Sequence, residues 1–150
     1  MKRMIRAGLT AAILLAGAPT AHAEIIRQQA NQKVPQTVAT LVKAVKARGL
    51  RMFAVIDHAA GARSVGLKLR PATLVVFGNP KIGAPLTQIS PAMGLELPIR
   101  VLVWEDKQGR VWIGRSPASF MARRRGVPRD HPIVKRMGKV LDAPKLEAAK

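Results

Sequence analysis

The chain has 150 residues, with 26 Lys and Arg against eight Asp and Glu, a net charge of +18. Apolar residues make up 48%, enough to build a core, which excludes a disordered polybasic tail. The absence of Cys excludes a disulfide scaffold, a thiol enzyme, a Cys-type zinc site, an iron–sulfur cluster and a lipobox-type lipid anchor.

Residues 1–23 read as a cleaved signal peptide. Lys2, Arg3 and Arg6 form a basic start, Ala7 to Ala18 an apolar stretch, Pro19 a helix breaker, and Ala21-His22-Ala23 a small-x-small cleavage pattern. The apolar stretch is about a dozen residues long, whereas a membrane-spanning helix needs roughly 20. The start lacks a twin-arginine pair, so the expected route is general secretion, to the periplasm or beyond. Cleavage removes three cations and no acid, taking the net charge from +18 to +15.

From Glu24 onward the pattern predicts an α+β fold: an antiparallel sheet with helices packed on it, in one small domain over 24–128 and a basic helical extension over 129–150. Ile25 to Arg27 starts a short strand. Val38, Leu41, Val42 and Val45 recur at helical spacing within Thr37–Arg48, and Gly49 is a natural stop. Met52 to Asp57 is a strand, Ala59 to Gly66 a short helix of small residues, and Ala72 to Phe77 a buried-type strand ended by Gly78-Asn79-Pro80. Lys81 to Pro98, rich in Pro and Gly, is expected to hold loops and short helical turns.

Ile99–Glu105 and Arg110–Arg115 form the clearest hairpin, turning at Asp106-Lys107-Gln108-Gly109. A four-residue loop would set Val103 opposite Trp112 and put Trp104 on the other sheet face. Pro117–Arg124 reads as a short helix. Ile133, Met137, Val140 and Leu141 define a last amphipathic segment, weakened by Gly138, ended by Pro144 and frayed after Lys145.

His58, after Asp57 at a strand end, has the chemistry of an acid–base group or of a metal or haem ligand. It equally suits a helix start, and it has no partner at metal-ligand spacing. A second ligand would have to be His131, which no spacing demands. Ser64, Ser90, Ser116 and Ser119 lack a nucleophile-elbow pattern. In Phe77-Gly78-Asn79-Pro80, Gly78 permits close backbone approach and Asn79 offers donor and acceptor together; the same residues also suit an ordinary strand-ending turn. Arg123-Arg124-Arg125, Arg129, Lys135, Arg136 and Lys139 make the last third the most basic region. Such charge suits anionic envelope lipid or polysaccharide, or a solvated face. No nucleic-acid partner is expected, given export and two Trp, three Phe and no Tyr for stacking bases.

The run FAVIDHAAGARSVGLKLRPATLVVFGNP, followed by ELPIRVLVWEDKQGRVWIG, resembles a bacterial and archaeal family known only as domain of unknown function 302, over about residues 53–126. The resemblance implies an α+β fold, commonly as a homodimer, and no established activity. It marks Asp57, His58, Asn79, Trp104 and Trp112 as ligand-binding candidates, with Phe77 and the turn residues Gly78, Pro80 and Pro98. Relatives often carry Tyr where this chain has Arg115. The expectation is therefore an exported, non-catalytic binding domain, a homodimer whose pocket is framed by His58, Asn79 and one Trp. Its ligand is a small molecule, a metal or haem, and its cofactor is unknown. The alternatives are an enzyme using His58 as general acid or base, and an envelope protein docking through its basic C-terminal segment.

Overall fold

The computed structural model describes residues 25–149, so the signal-peptide segment lies outside the described residues. Five strands form one antiparallel sheet: β1 (Ile26–Ala30), β2 (Arg51–Asp57), β3 (Ala72–Gly78), β4 (Ile99–Glu105) and β5 (Val111–Arg115). Their spatial order is β1-β5-β4-β3-β2, so β1 and β2 are the two edges. Helix α1 (Val34–Ala47) links those edges and must cross the sheet, packing on β2, β3 and β4. It buries Val34, Thr37, Leu41, Ala44 and Val45. Gly49, at φ 63°, ends it as expected: its N–H bonds to the Lys46 carbonyl, and that of Leu50 to Val45.

Strand alternation sets the two sheet faces. Val75, Phe77, Ile99, Val101, Val103, Val111 and Ile113 point inward and are at most 7% exposed. The opposite row, Leu74, Val76, Leu102, Trp104 and Trp112, stays half-buried. Helices α2 (His58–Ser64), α3 (Pro80–Ile89), α4 (Ala118–Arg124) and α5 (Pro132–Ala148) complete the domain, with a 3-10 turn at Pro91–Leu95.

Three expectations are corrected. First, Trp104 pairs directly with Trp112, and both lie on the outer face. The hairpin closes with Asp106 N–H donating to the Arg110 carbonyl at 2.8 Å, which leaves a three-residue loop ending in Gly109 at φ 78°. That loop shifts the register by one residue relative to a four-residue turn, and a one-residue shift reverses every side chain. Second, the Pro/Gly-rich stretch contains a full helix, α3. Pro80 occupies its first turn, where a missing N–H costs nothing, and the Asn79 Oδ1 accepts from the Lys81 amide at 2.9 Å. Third, α5 continues through Pro144 to Ala148. Met137, Leu141, Ala148 and Ala149 are buried with the main core, and α5 packs on α1, α3 and α4. Burial of that face outweighs the one helix hydrogen bond that Pro144 removes.

Arg115, the departure from Tyr, is buried on the inner face. One guanidinium nitrogen donates to the Asp142 carboxylate of α5 and another to the Ser116 carbonyl at 3.1 Å, while Nε has no partner.

Candidate functional site

The antiparallel register divides the candidate residues between two ends of the sheet. Asp57 pairs with Thr73, and Arg51 with Gly78. Asp57 and His58 therefore sit where β3 begins, and Asn79 sits where β3 ends. At about 3.3 Å per residue, this separation is on the order of 20 Å. One pocket framed by His58, Asn79 and a Trp does not form.

At the first end, Asp57 caps α2 by accepting from the Ala60 amide at 2.9 Å. Its other oxygen is 3.9 Å from the Arg63 guanidinium. His58 is exposed at the start of α2. Trp104 and Trp112 share this end, since Trp104 pairs with Ala72, one step beyond the Asp57 pair. Trp112 Nε1 donates to Asp106 at 2.8 Å. The Arg27 and Arg110 guanidiniums lie 4.7 and 5.4 Å from its ring centre. Burial raises the Asp106 pKa. The hydrogen bond from Trp112, followed by those from the Arg110 amide and guanidinium and the Gln108 amide, outweighs burial and holds the carboxyl well below its usual range. The Trp104 ring lies so close over Gly114 that a Cβ there would be 2.7 Å from it. Asp106, Arg110, Trp112 and Arg27 are thus engaged with one another, which stiffens the hairpin at this end.

At the second end, β2 begins, β3 ends and β4 begins around a hollow of about 260 Å³. Its wall includes Phe53, Asn79, Ile82, Gly83, Leu97 and Pro98. Asn79, Gly78, Pro80 and Pro98, all marked by the sequence, come together here. Phe53, Ile82, Gly83 and Leu97 were not marked. Phe53 enters through a register shift between Met52 and Ala54, a bulge that re-aims the side chain at the sheet edge. Nothing in a single strand pattern announces such a bulge.

The wall is mostly carbon. Thr87 donates back to the Gly83 and Ala84 carbonyls of its own helix, at 3.2 and 2.9 Å. Asn79 keeps its Nδ2 as a donor once Oδ1 has capped α3. Beside the hollow, the buried Glu96 clamps the 3-10 turn to the end of α4. Arg125 donates to its carboxylate at 2.7 Å, and Arg100 lies 3.7 Å away. No group of three or more His, Cys, Asp or Glu among the described residues is placed to hold a metal. His131 accepts from the Ile133 amide at the start of α5, at 3.3 Å.

Two kinds of relative share this chain's features. The chain is 37% identical over 100 residues to proteins named fluoride-specific ion channel FluC 1 from Brucella suis and Brucella abortus. The match covers 67% of this chain but only 39% and 37% of theirs, so the chain spans about two fifths of those relatives. A crystal structure of an uncharacterized conserved DUF302 protein from Bacillus stearothermophilus superposes with a TM-score of 0.74 at 18% identity. That likeness covers 84% of this chain and 98% of the other, and it establishes the shared fold. The family model matches residues 26–144, which takes in α5 as far as Pro144 as well as the quoted motifs, and the chain therefore belongs to the family described as Domain of unknown function DUF302.

Proposed function

We propose that this chain is an exported, non-catalytic binding domain that takes a small, largely apolar molecule in the hollow walled by Phe53, Asn79 and Pro98. The observation that carries the reading is the convergence of the Gly78-Asn79-Pro80 turn and Pro98 on one apolar concavity. A carbon-lined wall with one amide donor suits binding an apolar body and orienting it by a single polar group. It does not suit the alternatives of a metal or haem, since no His, Cys, Met or carboxylate lines it. Acid–base catalysis by His58 has less support, because His58 lies at the other end of the sheet and is not among the residues walling the hollow there.

The reading includes a homodimer through the outer sheet face. Leu74, Val76, Leu102 and Trp104 form a half-buried apolar row there, and Ile56, 43% exposed, extends it to the edge. An antiparallel sheet with an apolar second face needs a cover. Export rests on the charge and length pattern of residues 1–23. No helix among the described residues is long and apolar enough to cross a membrane. We therefore read the 100 residues shared with the fluoride channels as a domain that accompanies the channel, not as part of its pore.

The test uses n-hexanol and indole as probes in thermal-shift and NMR titrations. Both should stabilise the protein and shift resonances around the hollow. Gly83→Leu fills the hollow while improving a helix position, so it should abolish the response without lowering Tm. Unchanged binding in that variant would overturn the reading. So would no response to either probe combined with turnover in an activity screen.

A further inference from the structure

A smaller hollow lies at α4, away from the sheet end that holds Asn79. Its volume is about 80 Å³, and it is walled by Ser119, Phe120, Arg123 and Arg129. Ser119 and Arg123 are one helical turn apart and share a face of α4. Arg129 arrives from the loop between α4 and α5. The Arg123 guanidinium stands 5.8 Å from the centre of the Phe120 ring, and that of Arg124 stands 5.3 Å from it. The ring thus holds cationic groups beside the hollow at reduced conformational cost.

The charge there is unneutralised. Arg125, Arg100, Arg70, Arg110, Arg115 and Arg63 all have carboxylate partners. Arg123, Arg124 and Arg129 have none among the described residues, and neighbouring Asp130 is exposed and pairs with none of them. Two guanidinium forks and a hydroxyl around a space this small match the several acceptor oxygens of one tetrahedral anion.

We propose that the Ser119–Arg123–Arg129 hollow is a binding site for a phosphate group, either free or carried on a lipid headgroup. It is separate from the apolar hollow at the sheet end and does not depend on it. Full-length protein is titrated with inorganic phosphate by calorimetry. It is also co-sedimented with phosphatidylcholine vesicles with and without phosphatidylglycerol. The Arg123→Gln/Arg129→Gln variant is compared with Lys43→Gln/Lys46→Gln, which removes the same charge from exposed positions on α1.

Loss of charge-assisted hydrogen bonds should weaken binding by about tenfold or more in the first variant. The α1 variant should stay within about twofold, as expected for distant screened charges. Phosphate binding with that pattern identifies the free anion, and retention only on phosphatidylglycerol vesicles identifies the headgroup. Equal losses in the two variants would assign the effect to overall charge and overturn the site. Absence of both phosphate and vesicle binding would also overturn it.

Discussion

The two ends of the sheet each carry distinctive residues and treat them differently. At the β2–α2 end, Asp106, Arg110 and Trp112 satisfy one another, Asp57 caps α2, and the hollows there are walled by charged groups such as Asp57, Arg63, Glu105 and Arg110. At the β3–α3 end, Asn79 caps its helix, while the surrounding Phe53, Ile82, Leu97 and Pro98 leave a concavity. Polar side chains that complete their own hydrogen bonds build rigid structure, whereas apolar side chains that fail to meet leave room for a guest. The end richest in chemically suggestive groups is therefore not the end whose hollow is walled by carbon.

The contrast can be broken most severely at Glu96. This residue is 6% exposed, and its carboxylate serves Arg125 and Arg100 at once, tying the turn beside the hollow to α4. Glu96→Ala leaves Arg125 half-buried without a partner. Removing one member of a buried pair costs about 3–5 kcal/mol, and with Arg125 24% exposed the expected loss is about 3 kcal/mol. Chemical denaturation measures it. A change below the error of the midpoint would show that the clamp does not hold the second end together.

At the stiffened end, Gly114→Ala places a methyl 2.7 Å from the Trp104 ring and 3.3 Å from Ile25. Overpacking of this kind costs about 1–3 kcal/mol. Trp104→Ala in the same chain should recover most of that cost, and the double-mutant cycle reads the coupling. Additive losses would mean that the ring does not rest on the glycine. Asp57→Ala should cost about 1 kcal/mol through the lost α2 cap. His58→Ala, at an exposed position, should stay within about 0.5 kcal/mol and leave probe binding in the hollow unchanged. Loss of binding in His58→Ala would reconnect the two ends and refute the division between them.

The sheet was legible because Ala72–Phe77 and Ile99–Glu105 are short apolar runs rich in β-branched residues and bounded by turn residues. The α1 stop at Gly49 was legible because only a left-handed residue makes that cap. What escaped depended on spacing of one residue or on tertiary packing. The hairpin loop length decides whether the two Trp share a face, and the sequence DKQG admits both registers. Pro85 and Pro144 argue locally against helix, yet α3 and α5 bury enough apolar surface to keep them. The candidate site was half legible: Gly78, Asn79, Pro80 and Pro98 do converge. Their supposed partner His58 was separated by the strand β2 that precedes it, since antiparallel neighbours place the end of one strand beside the start of the next.

The smallest expected effect tests whether the stiffened end is held electrostatically. Asp106 accepts from the Gln108 and Arg110 amides, from Arg110 Nε and from Trp112 Nε1, at 2.7 to 2.9 Å. Burial works against its charge, but these hydrogen bonds prevail and lower its pKa in the folded state. A carboxyl depressed on folding contributes stability that is complete above its unfolded pKa, about 3.9, and is lost as pH falls below that value. Acid titration of the native protein should therefore show Trp112 fluorescence steady down to about pH 4. Below that, hairpin stability should decline as the unfolded chain takes up a proton that the folded one resists. Asp106→Asn keeps an acceptor for Trp112 but removes the titration. It should be less stable than the parent at neutral pH, with the gap closing on acidification. A gap that stays constant across the acid range would mean that the Trp112–Asp106 bond acts by geometry alone, and the hairpin end would then owe its stiffness to packing, as the hollow end does.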